Sequence, residues 1–251
     1  VRPINWNGFM RIKIINPNTT ASFTRNLLAA SAVVAAPGTV IEAGNPTAGP
    51  ASVESHYDEA FAALGVIQEV EAGEATGIDG YVVACFGDTG VSAAREVARG
   101  PVVGMTEAAL FGACLLASTF TVVTLPTRTR SHALRVINEN GLGLRCTRVR
   151  AVEIPVLDLA DADADAAIYA ALLDEARRSL VEDHAEAIVL GCAGLTHFVE
   201  SMTAVLGVPV VDGVTVAIKM VEGLITLGLK TSKRSSFGYP PAKTIQLGTI
   251  Q

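Results

Sequence analysis

The chain is expected to be an α/β protein: two similar lobes, each a parallel sheet with helices, related by a pseudo-twofold axis, with the active site in the cleft between them. Three observations lead there. Apolar runs of strand length alternate with helix-length segments. Several of the runs are apolar almost throughout, as parallel strands covered on both faces are. Features of the first half also recur about 108 residues later.

The strand-like runs are 12–15, 80–85, 102–104, 119–125, 149–156, 187–191 and 208–211. The helix-like segments are 20–35, 55–74, 89–98, 107–117, 128–140, 164–183, 196–206 and 214–227. Pro37-Gly38, Gly141 and Gly207 punctuate their ends. Such alternation predicts parallel sheets with right-handed crossovers.

The repeat is carried by four feature pairs. Cys85 and Cys192, each ending an apolar strand ahead of a glycine-containing turn, stand 107 residues apart. Pro101-Val-Val-Gly104 and Pro209-Val-Val-Asp212 are 108 apart. The run from Ile12 to Pro17 and that from Thr121 to Pro126 are 109 apart, as are Pro46 and Pro155, each closing a β-like run. The expected organisation is an extension over 1–9, a first lobe over 10–104 joined by 212–229, a second lobe over 105–211 and a surface tail over 230–251. Residues 1–9 hold the only Trp and no periodicity, and Met10 is the expected natural start.

Of the 251 residues, 50% are hydrophobic and 18% charged, which excludes a disordered chain. The net charge of −6 and the lack of a basic run exclude nucleic-acid binding. Residues 108–127 form an uncharged run long enough to span a bilayer. They carry Gly112, Ser118, Thr119, Thr121, Thr124 and Pro126, and change from helix-like to β-branched. A buried helix followed by a buried strand is therefore expected, with no membrane span. Four cysteines without a CxxC or metal-ligand spacing point to a reduced, cytoplasmic protein. No His/Asp/Glu set has metal spacing and no GxGxxG opens a helix, so no metal and no cofactor is expected.

In open parallel sheets, ligands bind at the carboxyl ends of strands. Cys85 and Cys192 occupy such ends, so a pseudo-twofold axis brings two thiols to opposite sides of one pocket. Each precedes an expected helix start, capped by Asp88 or Thr89 in one half and Thr196 in the other, where the helix dipole favours a thiolate. A thiolate facing a thiol can take a proton from one side of a carbon acid and return one on the other, which is cofactor-independent racemisation. The sulfurs would then stand roughly 6–7 Å apart, too far for a disulfide. The plainer alternative, buried apolar cysteines, suits Cys114 and Cys146, whose repeat mates carry no thiol.

The segments MRIKIINPNTT, SHYDEA, DGYVVACFGDTG, AIVLGCAGL, PVVDGV and LITLGLKTSK, in this order, resemble the aspartate/glutamate racemase superfamily. Within it the chain is most similar to hydantoin racemases, with allantoin racemases next, over Met10 to about Lys233. The resemblance implies a two-domain α/β fold, no cofactor, a small hydantoin-type ring as substrate, a homo-oligomer, and catalysis by Cys85 and Cys192. Helices 107–117 and 214–227 could supply the oligomer interface. The chain departs from the family pattern at Thr89, commonly Pro, and at Leu195, commonly Met, both expected to border the pocket. The Asp-Ser opening and the Thr-His of the amino-acid racemases are replaced by Asn16-Pro17-Asn18 and Ala193-Gly194. Such neutral groups suit a neutral ring with amide N–H and C=O groups.

Further substrate contacts are expected from Asn16 and Thr19, from Phe86 beside the ring, and from Thr124 at a strand end. Gly87, Asp88 and Thr89 offer N–H groups as a nest for an enolate oxygen, with helix capping the simpler role for Asp88. Ala193, Gly194 and Leu195 mirror Phe86, Gly87 and Asp88, and Gly213 could donate its N–H. His132 and His184 are assigned to polar helix faces, His56 to the cleft mouth and His197 to a solvated helix position. The expected reaction is racemisation of 5-monosubstituted hydantoins. The alternatives are allantoin racemisation, a related thiol-dependent decarboxylase or isomerase, and a two-lobed binding protein in which the paired thiols have no role.

Overall fold

A computed structural model describes residues 9–244. Most of the proposed 1–9 extension and the end of the 230–251 tail lie outside these residues. The first sheet contains β1 (Met10–Ile15), β2 (Thr39–Gly44), β3 (Gly80–Val83) and β4 (Val102–Gly104), in the order β2-β1-β3-β4. The second contains β5 (Phe120–Thr124), β6 (Cys146–Ala151), β7 (Ala187–Gly191) and β8 (Val210–Val211), in the order β6-β5-β7-β8. All pairings are parallel. The two sheets are thus topological copies, with β3 matching β7 and so Cys85 matching Cys192.

The helices are α1 (Ala21–Val34), α2 (His56–Thr76), α3 (Val91–Val97), α4 (Met105–Leu116), α5 (Arg130–Glu139), α6 (Asp165–Glu182), α7 (Val199–Leu206) and α8 (Gly213–Thr226). Local chemistry sets several ends. Ser55 accepts from the Asp58 N–H at the start of α2, and Gly77, in the left-handed conformation, closes it. Asp212 accepts from the N–H groups of Val214 and Thr215 at the start of α8.

The structure adds β2 to the strand-length apolar runs. TVIEAG is an edge strand, only partly buried, and its Glu42 faces Arg11, so it lacks a fully apolar run. The helix expected over 196–206 is a 3-10 stretch, Ala193–Phe198, followed by α7. The uncharged run 108–127 is most of α4 followed by β5, and no helix among the described residues is long and apolar enough to cross a membrane.

The largest core joins both sheets. Ile12, Ile14 and Val82 of the first and Phe120, Val122 and Val189 of the second share one apolar cluster with α4, α5 and α8. Helices α4 and α8 pack against each other in it. The two faces expected to supply an oligomer interface therefore meet inside one chain, although Leu115 and Leu116 at the end of α4 stay exposed. Separate cores cover the outer faces: Val66, Val70 and Ala94 on the first sheet, Ile168, Leu172 and Met202 on the second. Phe23 of α1 reaches into the second sheet's core and Leu27 into the shared one, so α1 borders the space between the sheets.

Candidate active site

One pocket opens at the carboxyl ends of β1, β3, β5 and β7. Its lining includes Cys85 and Cys192, with Ala84 and Phe86 beside the first and Gly191, Ala193 and Gly194 beside the second. Asn16, Asn18 and Asn26 provide amides and Thr129 a hydroxyl. Phe23, Leu27, Val53, Leu125, Val156 and Leu159 provide apolar surface. The lining contains no Asp, Glu, Lys or Arg.

Both thiols are free. Burial pushes the Cys85 thiol up to about 12; the Thr89 hydroxyl opposes this, while the charges of Cys192, Glu59 and Asp88 add to it. Burial also pushes Cys192 up to about 11, opposed by the N–H groups of Gly194 and Ala193 and reinforced by Glu54. Burial thus acts against the depression expected from helix dipoles, and it is the larger influence on both thiols. After Cys85 the chain turns through Asp88, at φ 52°, and α3 begins only at Val91, six residues on. After Cys192 a 3-10 stretch replaces the α-helix. At rest and neutral pH both groups are thiols.

The asparagine loop divides its labour. The Asn16 amide nitrogen donates to Asn18 Oδ1 (2.9 Å) and Thr24 Oγ1 (3.1 Å), and Asn16 Oδ1 accepts from the Asn18 N–H (3.3 Å). Asn18 Oδ1 also accepts from the Thr20 N–H at 2.9 Å. Asn18 Nδ2 donates to no acceptor among the described residues. Asn16 is thus a brace, and Asn18, which the site expectations left out, presents an amide that is still available.

Several expected contacts lie behind the lining. The Gly87 N–H donates to Thr106 Oγ1 (2.7 Å) and the Asp88 N–H to the Cys85 carbonyl (3.0 Å), so two of the three donors of the expected nest are already engaged. The Asp88 carboxylate accepts from the N–H groups of Thr106 (2.8 Å) and Glu107 (2.9 Å), capping α4 instead of α3. Burial and the Glu107 charge raise its carboxyl to about 7. Thr89 faces Cys85 and Glu59 from outside the pocket. Thr19 bonds the Pro50 carbonyl. Thr124 donates to the Gly191 carbonyl at 2.8 Å, tying β5 to β7, and meets Thr129 Oγ1 at 3.2 Å. Leu195 is fully buried in the second sheet's core. Gly213 lies where a Cβ would stand 2.0 Å from the Met105 carbonyl oxygen, so glycine lets the start of α8 approach α4.

The histidine expectations change too. His132 is buried, not on a polar face, and its ring packs 4.7 Å from that of His56. With Glu59 they bring possible ligand atoms within 4.8 Å of one another, a cluster hidden from sequence spacing because α2 and α5 are far apart in the chain. Arg135, however, donates to both Glu59 oxygens at 2.7 and 2.8 Å. Its guanidinium already supplies the cation, which makes this an ion-pair site rather than a metal centre. His197 is half exposed and lies 3.5 Å from Asp165.

Two copied α/β sheets with a cysteine at the same strand end of each, both lining one uncharged pocket, form the architecture of the two-lobed Asp/Glu racemase-like α/β class. The chain belongs to the Asp/Glu/Hydantoin racemase family, whose pattern matches residues 12–221. It is 43% identical over 234 residues to a hydantoin racemase of Pseudomonas sp. (strain NS671), covering 93% of each chain. It is 40% identical over 235 residues to that of Paenarthrobacter aurescens, covering 93% of this chain and 99% of the other. Among solved structures it resembles the allantoin racemase from Klebsiella pneumoniae, with a TM-score of 0.91 and 43% identity over 94% of this chain and 96% of that one.

Proposed function

We propose that this protein is a cofactor-independent racemase of 5-monosubstituted hydantoins. The observation that carries the reading is the pair of cysteines at equivalent strand ends of copied sheets, lining one pocket without a charged side chain. An α-amino acid would bring two charges into a site with no counter-charge; a hydantoin ring brings none. Its C5–H is acidic because loss of the proton gives a delocalised enolate. One cysteine, as thiolate, removes that proton and becomes a thiol. The other gives its proton to the opposite face of C5 and becomes the thiolate. In this reading the Asn18 amide, which lines the pocket, donates to a ring carbonyl oxygen as it gains charge. Phe23, Leu27, Leu125 and Leu159 favour an apolar 5-substituent.

The second reading is allantoin racemisation, which the solved relative from Klebsiella pneumoniae favours by its name. Polarimetry on both enantiomers of 5-benzylhydantoin, 5-isobutylhydantoin and allantoin separates the two. Loss of rotation with the apolar hydantoins supports the first reading; loss with allantoin alone supports the second; no loss with any removes both. Because both thiols must stay reduced, we place the enzyme in the cytoplasm. We take its working form to be a homo-oligomer, which sedimentation of the full chain tests.

A further inference from the structure

Thr89 Oγ1 lies 3.6 Å from the Cys85 sulfur and 3.3 Å from Glu59 Oε1. It is buried, and it touches the two groups from outside the pocket lining. A hydroxyl has one hydrogen to give and lone pairs to receive. Glu59 holds no proton at neutral pH and can only accept. A Cys85 thiol has a hydrogen; a Cys85 thiolate has none. One arrangement satisfies both neighbours best in each state of Cys85. With a thiol, S–H donates to Thr89 Oγ1 and the hydroxyl donates to Glu59. A thiolate has no hydrogen to give, so the hydroxyl stabilises it only by turning from Glu59 to donate to sulfur.

We propose that Thr89 is a rotating hydroxyl that follows the protonation of Cys85, and that Glu59, anchored by Arg135, is the positioning residue that competes with the thiolate for its hydrogen. The Thr89 proton never leaves its oxygen; only its direction changes. Arg135 comes from α5 and Glu59 from α2, and Arg135 also donates to the Gly87 carbonyl at 2.7 Å. The anchor therefore holds the turn that carries Thr89. The charged or titratable groups facing Cys85 are Cys192, Glu59 and Asp88; those facing Glu59 are Arg135, His132 and His56. The two substitutions consequently act in opposite directions. Loss of the Thr89 hydroxyl removes a donor to the thiolate, whereas loss of the Glu59 charge removes both a competitor and a nearby negative charge.

The proposal rests on the two-thiol reading, but its test uses thiol reactivity, which does not require turnover. The rate of Cys85 alkylation by iodoacetamide is followed against pH, by mass spectrometry of the Cys85 peptide, in the full-length protein. Thr89→Val, nearly isosteric, should slow alkylation about ten- to hundredfold at a given pH, the factor carried by a hydrogen bond to a charged group. Thr89→Ser should restore it. Glu59→Gln should accelerate it. Proton exchange from the one enantiomer that Cys85 serves should follow the same order, and exchange from the other should not. Unchanged alkylation in Thr89→Val, no recovery in Thr89→Ser, or slower alkylation in Glu59→Gln overturns the proposal. If Glu59→Gln fails to fold, the Val and Ser pair decides alone. Failure of the two-thiol reading shows itself separately, as racemisation that survives Cys85→Ala.

Discussion

Replacing Arg135 by Met should cost stability by a predictable amount and with a predictable pH dependence. Burial alone would raise the Glu59 carboxyl, yet the Arg135 hydrogen bonds, with His132 and His56, hold it down at about 2 against an ordinary 4.5. At 1.36 kcal/mol per pH unit that difference is about 3 kcal/mol. Arg135 is about one-third exposed, so solvent screening takes part of its share, and about 2–3 kcal/mol is expected on its removal. Because the carboxyl titrates lower in the folded protein, this stability is present above pH 4.5 and is lost as pH falls towards 2. Urea unfolding should therefore show the full gap between wild type and Arg135→Met at pH 7, narrowing as the buffer is taken below pH 4.5. Adding Glu59→Gln to Arg135→Met should recover part of the loss, because the double variant buries no unpaired charge. A gap below about 0.5 kcal/mol at pH 7, within the usual effect of a surface substitution, would refute the argument. So would a gap that widens in acid.

Further outcomes follow from the same geometry. In D₂O, Cys85→Ser should exchange C5–H of one enantiomer and Cys192→Ser that of the other; NMR showing the same enantiomer exchanged by both would break the two-base assignment. With the thiols raised to about 12 and about 11, kcat/KM should climb by roughly tenfold per pH unit from pH 7 to 9, and a plateau below pH 8 would mean a thiolate already present at rest. Thiol alkylation should abolish activity and a chelator should leave it unchanged; the reverse pattern in a racemisation assay removes the mechanism. Asn18→Ala should lower kcat by about ten- to a thousandfold with little change in thiol alkylation, and equal kcat would place the enolate donor elsewhere.

The periodicity of the chain was enough to establish the parallel strands, the twofold repeat and the equivalence of Cys85 and Cys192, because buried parallel strands are uniformly apolar and a repeat preserves the position of its strand ends. What followed each cysteine was not legible. Whether the Asp88 carboxylate caps α3 or α4 depends on a backbone turn at positive φ and on α4 arriving beside it, neither of which sequence spacing encodes. Edge strand β2 escaped the apolar runs because one side of an edge faces solvent. Asn16 and Asn18 are two residues apart and chemically identical; only the hydrogen bonds of the folded loop make one a brace and leave the other's amide available. Glu59, Thr89, His132 and Arg135 come from three segments that meet only when both sheets pack around their shared core. The sequence by itself determined which strand ends bear the paired cysteines. The tertiary structure decided how acidic those thiols are, because burial and the direction of neighbouring hydrogen bonds exist only once the chain is packed.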